Sequence, residues 1–150
     1  MLTDDEKNTY RIAFERWFKG DRAASRLCMD LLDVAHVWDD LIDKDREPSP
    51  DEIDGAFRAL LIDVPGNEFY RVNSHILLPV LNSIHLQWRA ANVLARDKHP
   101  GDEAKALMLK ASIYQLFQTV ACIVGGAAWA IETGPEVWRV YAEPNGAPNA

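Results

Sequence analysis

Along the chain, apolar residues recur at three- and four-residue steps, and no stretch alternates with period two for long enough to make a sheet. The pattern predicts an all-α protein built as a bundle of about five main helices. Thr3-Asp4-Asp5-Glu6 has the form of a capping box, in which the threonine oxygen and the glutamate carboxylate satisfy amides of the first turn. The helix it opens carries Tyr10, Phe14, Trp17 and Phe18 on one face, with Gly20 at its exit. Asp21 is placed to cap a second helix. Its apolar residues, Leu27, Cys28, Leu31, Val34, Ala35, Trp38, Leu41 and Ile42, fall within about 140° of arc. Ser49-Pro50-Asp51-Glu52 is a second capping box with proline at the first helical position. It predicts a third helix with Ile53, Phe57, Leu60 and Leu61 inward, ending near Val64-Pro65-Gly66-Asn67.

A long helical pattern then runs from Glu68 to Lys98, and Pro79 is expected to kink or split it. His99-Pro100-Gly101-Asp102 reads as a turn and a new cap. A fifth helix is expected from Glu103 to Gly125-Gly126, with a bend or break before Ala127–Ile131. Gly134-Pro135 is expected to open a last short segment, Glu136 to Tyr141, as a helical turn or a strand. Residues 143–150 read as a disordered tail. With no linker or repeat in view, residues 1–142 are expected to form a single helical domain.

The 150 residues are 48% apolar and 26% charged, a composition that excludes wholesale disorder. Five tryptophans, Trp17, Trp38, Trp88, Trp129 and Trp138, fall about one to an element and are expected as core anchors, or in one or two cases as pocket lining. Cys28 and Cys122 lie in apolar helical stretches and are expected to be buried thiols. The start, Met-Leu-Thr-Asp-Asp-Glu, lacks the basic and apolar runs of a secretory signal, so a cytoplasmic location is expected. Between Lys110 and Glu132 lie 21 uncharged residues, long enough to span a bilayer. Ser112, Gln115, Gln118, Thr119 and the two glycines favour a buried core helix and no membrane association.

The net charge of −7 argues against direct nucleic-acid binding, which needs a positive field. That charge is concentrated. Residues 30–54 hold ten acids and two bases, net −8, which leaves 13 acids and 14 bases, net +1, elsewhere. Asp39, Asp40 and Asp43 sit near the C-terminal end of the second helix, against its dipole, where a bound cation would compensate them. His36 is one turn before Asp40 and Asp33 a turn further back. Asp33, His36, Asp40 and Asp43 span about 80° around the axis. Oxygen ligands clustered on one helix suit Mg²⁺ or Mn²⁺, which keep waters for a phosphate-bearing ligand.

Asp39-Asp40-Leu41-Ile42-Asp43 resembles the DDxxD motif of class I terpenoid and prenyl diphosphate synthases, and Lys44-Asp45-Arg46-Glu47-Pro48 resembles its flank. The resemblance implies that Asp39 and Asp43 hold Mg²⁺ (or Mn²⁺), that Asp40 supports them, and that the metal grips a diphosphate-bearing small molecule. It covers about a dozen residues. The family's second metal motif is missing: four-residue steps from Asn82 land on Leu86 and Ala90. The whole chain also resembles small uncharacterised helical proteins of bacteriophage genomes. The residues that carry this are His36–Asp43 and the Gly66-Asn67-Glu68-Phe69-Tyr70 turn leading into the Trp88 helix.

The fourth helix has a polar stripe, Asn82, His85, Arg89, Asn92 and Arg96, which would bind a phosphate or pair with Asp40 and Asp43 if it faced the acidic helix. Asn82, His85, Arg89 and Arg96 are therefore candidate ligand-binding residues, beside His36, Asp39, Asp40 and Asp43 as candidate metal ligands. The alternative is an acidic interaction protein without catalysis, a phage-type inhibitor or nucleic-acid mimic docking on a basic protein partner. Five helices enclose a deep pocket poorly, so a homodimer with Trp or Phe at the seam is also expected.

Overall fold

The computed structural model describes residues 2–140, and every described element is helical. The tail expected at 143–150 lies outside the described residues. The described residues divide into two compact units, with the boundary between Ser74 and His75.

The first unit holds α1 (Asp4–Trp17), α2 (Arg22–Asp43), α3 (Pro50–Arg58), a π-helical turn (Ala59–Asp63) and α4 (Val64–Gly66). Its helix starts follow the local code. Thr3 and Glu6 cap each other's backbone, Asp21 accepts from the Ala24 amide at 2.9 Å, and Ser49 and Glu52 form the second box. Gly20 has φ +76° and returns its N–H to the Glu15 carbonyl, which closes α1. The core is aromatic: Phe14 stacks on Phe18 at 5.1 Å and lies 5.8 Å from Tyr10 and 6.0 Å from Trp17, with Leu27 and Cys28 of α2 also fully buried. Burial pushes the Cys28 thiol well above its usual range. Asn67 caps the Tyr70 amide and donates to the Ala23 carbonyl, tying the chain after α4 to the first turn of α2.

Two expectations fail here for physical reasons. Leu41 and Ile42 are exposed, because α2 has 22 residues and α1 only 14, too few to cover its last turns. Phe57, Leu60 and Leu61 point outward, because this stretch packs inward through small residues, Ala56 of α3 half-buried and Ala59 of the π-turn buried. The π-turn then rotates the register, with the Val64 amide bonding the carbonyl of Ala59 five residues back.

The second unit takes up α5 (Glu68–Asp97) from residue 75 and adds α6 (Asp102–Lys110), a 3₁₀ turn (Ala111–Ile113), α7 (Tyr114–Gly125) and α8 (Ala127–Arg139). Pro79 lies inside α5 without splitting it. Gly101, at φ +84°, takes the N-cap position, and the Asp102 carboxylate turns back to the His99 amide at 3.0 Å. The expected fifth helix is interrupted at 111–113. The Trp88 indole donates to the Lys110 carbonyl at 3.2 Å, and the Tyr114 amide bonds Ala111 instead. Pro135 does not start a new segment, because α8 is held against α7. Gln118 donates to the Ala130 carbonyl and accepts from the Trp138 indole, both at 3.2 Å, and Tyr114 lies 5.8 Å from the Trp138 ring. Cys122 is exposed, contrary to expectation, because it lies off the α7 face that buries Leu116, Phe117 and Val120. Residues Asp102–Gly125 are long and apolar enough to cross a membrane by length and composition; 39% of that apolar window is buried.

Gly125 lies where an added Cβ would land on the Trp129 indole. Gly125→Ala is expected to destabilise by about 1–3 kcal/mol, read from urea unfolding; a change below about 0.5 kcal/mol would show that the ring moves aside freely.

Candidate functional site

The DDxxD side chains are not gathered as one set. On the last turns of α2, Asp39 is half-buried, Asp40 is buried and Asp43 is exposed. Asp40 is held by Arg46, whose Nη2 and Nε lie 2.8 and 3.1 Å from Oδ2. The same guanidinium reaches Glu52 of α3 through Nη1 at 3.1 Å and Nη2 at 3.2 Å. These bonds hold the Glu52 carboxyl below the usual carboxylate range, with help from the Ser49 amide. Arg46 is thus a clamp that fixes the α2–α3 loop. Among the described residues no group of three or more His, Cys, Asp or Glu side chains converges to hold a metal ion. Asn82, His85, Arg89 and Arg96 are exposed on α5 and belong to the second unit.

Arg46→Ala is expected to lower the melting temperature at pH 7. A carboxyl whose native pKa is depressed stabilises the fold above its unfolded value, about 4.3 for Glu, and that contribution disappears as pH falls through the native value. The variant should lose this part of the acid limb, and an unchanged limb would rule out the clamp.

One turn further back, α2 meets α3 across a cleft of about 240 Å³. Asp30, Asp33 and His36 enter it from α2, and Asp63 from the π-turn. Val34, Val37, Ala56 and Ala59 supply apolar walls, and Lys7 of α1 and Glu52 of α3 also line the cleft. Among the described residues neither Asp30 nor Asp33 has an ion-pair or hydrogen-bond partner for its carboxylate. Burial pushes both carboxyls above their ordinary value; Asp63 and Asp33 push Asp30 further against the pull of Arg26, while Lys7, His36 and Arg11 partly offset the rise at Asp33. Burial lowers the His36 imidazole, against the pull of Asp33, Asp40 and Glu6. The cleft is a half-buried hollow in which three carboxylates, Asp30, Asp33 and Asp63, stand beside apolar walls, with Lys7 among its lining residues.

Of the residues singled out on the acidic face of the second helix, Asp33 and His36 line this hollow, whereas Asp39, Asp40 and Asp43 are not among its lining residues. Asp30 and Asp33 carried a usable signal, a three-residue step on the face that also bears Val34 and Val37. Gly55, Ala56 and Ala59 gave another, since small side chains at helical spacing leave room. Asp63 could not be found this way, because the π-turn shifts its register. Comparison with protein-family models, curated proteins and solved structures gives no match to this chain.

The raised and lowered groups predict opposite pH effects. Between about 3.9 and their raised native values, the folded Asp30 and Asp33 bind more protons than the unfolded chain, so their contribution to stability rises as pH falls. The lowered His36 acts oppositely, and stability falls as pH drops below about 6.5. Asp30→Asn with Asp33→Asn should raise the melting temperature at pH 7 by about 2 °C and flatten the acid gain. His36→Asn should remove the loss below about pH 6.5. Denaturant titrations from pH 8 to 4 read both; a lower melting temperature in the double Asn variant would refute the picture of uncompensated charge.

Proposed function

We propose that this protein is an acidic interaction module whose first unit receives an ammonium or guanidinium group of a basic protein partner in the α2–α3 cleft. The reading is carried by one observation: Asp30 and Asp33 stand half-buried beside apolar walls, and among the described residues neither carboxylate has an ion-pair or hydrogen-bond partner. A lysine or arginine side chain meets both features, its charged end facing the carboxylates and its methylenes lying on Val34, Val37 and Ala59. The cleft, at about 240 Å³, has room for such a group. The acid-rich surface of residues 30–54 would steer the approach, so binding weakens as salt rises.

The test titrates the protein with a lysine-rich peptide, with N-acetyl-lysine amide, and with Mg²⁺ or Mn²⁺ plus pyrophosphate, following thermal stability. The peptide is expected to stabilise the wild type, less so in high salt, and to have no effect on Asp30→Asn with Asp33→Asn. Equal stabilisation by the free amide at matched concentration would point to a small-molecule amine. Stabilisation only by metal and pyrophosphate, lost in Asp39→Asn with Asp43→Asn, would replace this reading with a metal–diphosphate site.

A further inference from the structure

The opposite face of α3 carries a second feature that the cleft leaves unused. Ile53, Phe57, Leu61 and Ile62 line an open groove of about 660 Å³ with Asp54 and Arg58. Phe57 is 62% exposed and Leu61 69%. Scattered exposed apolar residues need no explanation, but these share one helical face at three- and four-residue steps. The π-turn carries the apolar run past the end of α3, so Leu60 and Ile62 are exposed as well.

We infer that this groove docks an amphipathic helix of a basic protein, apolar on one face and flanked by lysine or arginine. The inference rests on the reading of the first unit as an acidic interaction module and names its partner's chemistry. Charge decides the occupant. Residues 43–54, which lead into the groove, hold six acids and two bases; with Arg46 and Glu52 set aside as a pair, five acids face one base, Lys44. Arg58 is opposed by Asp63 at 3.9 Å. The groove is thus an apolar strip in an acidic setting. A second copy would bring the same charge: residues 1–74 hold 17 acids and 10 bases, net −7, so two such faces repel. An anionic membrane is disfavoured for the same reason. A helix with leucines at i, i+3, i+4 and i+7 and lysines alongside matches both the strip and its rim.

The probe is a dye-labelled 18-residue peptide of leucine and lysine with that spacing, against a scrambled peptide of the same composition. Wild type is expected to bind the amphipathic peptide at least about tenfold more tightly than the scrambled one, and Phe57→Ser with Leu61→Ser to lose that margin. Asp30→Asn with Asp33→Asn should keep it, which separates groove from cleft. Circular dichroism checks the fold, and Leu61→Ser alone serves if the double variant unfolds. Equal binding of both peptides overturns the inference, leaving only non-specific charge attraction. So does an unchanged margin in the groove variants. A wild-type dimer that Phe57→Ser with Leu61→Ser converts to monomer would overturn it in favour of self-contact. Binding of zwitterionic vesicles, abolished by the same variant without any peptide margin, would overturn it in favour of a lipid surface.

Discussion

Replacing Phe14 with alanine is expected to destabilise the protein by about 3–5 kcal/mol, the largest single effect of any substitution considered. The ring is fully buried and lies within 6.0 Å of the Tyr10, Trp17 and Phe18 ring centres. Removing it forfeits the transfer of the phenyl group and leaves a void that three rigid neighbours fill poorly. Each lost ring pair adds about 0.5–1.5 kcal/mol beyond area burial. Against a typical total of about 5–15 kcal/mol, this is enough to populate the unfolded chain near body temperature. Urea unfolding should show a lower midpoint with an unchanged slope. A loss under about 1 kcal/mol would mean that the aromatic cluster is not the core of the first unit.

Gly126→Ala is expected to cost about 2–3 kcal/mol. Gly126 joins α7 to α8 with φ +88° and ψ 172°, a region that residues with a Cβ avoid. No side-chain clash is involved, since nothing lies within 4 Å of the added methyl, so the cost is conformational. It falls on the hairpin that Gln118, Ala130 and Trp138 hold together. The strained backbone would relax only by breaking those bonds. Gly66→Ala is the control: φ is not positive there, nothing lies within 4 Å, and the change should be neutral within about 0.5 kcal/mol. Similar losses at both glycines would show that flexibility, not the backbone angle, matters at Gly126.

The two effects bear on function differently. Phe14 lies in the unit that presents the acidic cleft and the apolar groove, so its loss should abolish peptide binding together with folding. The Asn and Ser variants at Asp30, Asp33, Phe57 and Leu61 act on half-buried or exposed side chains, and their effects on binding can be read on a folded protein.

The amino-acid sequence by itself determined the helical class and the helix starts. The caps at Thr3, Asp21 and Ser49 act on amides no more than three residues away, so every participant is visible in a short window. The exit at Gly20 and the break at Gly126 are local for the same reason, a backbone angle that only glycine takes without cost. The tertiary structure decided what depends on partners far along the chain. Whether Phe57 turns in or out follows from which residues of α3 and the π-turn meet α2, and small Ala56 and Ala59 win that contact. The interruption after Lys110 needs an indole 22 residues away, and the continuity of α8 through Pro135 needs Gln118 of α7. The fate of the acids divides along the same line. Their density in residues 30–54 is a property of composition, whereas the capture of Asp40 by Arg46 and the bare half-burial of Asp30 and Asp33 arise only when α2 and α3 close on each other. Hydrophobic periodicity reports which residues can be buried; it carries no record of which neighbour arrives to bury them.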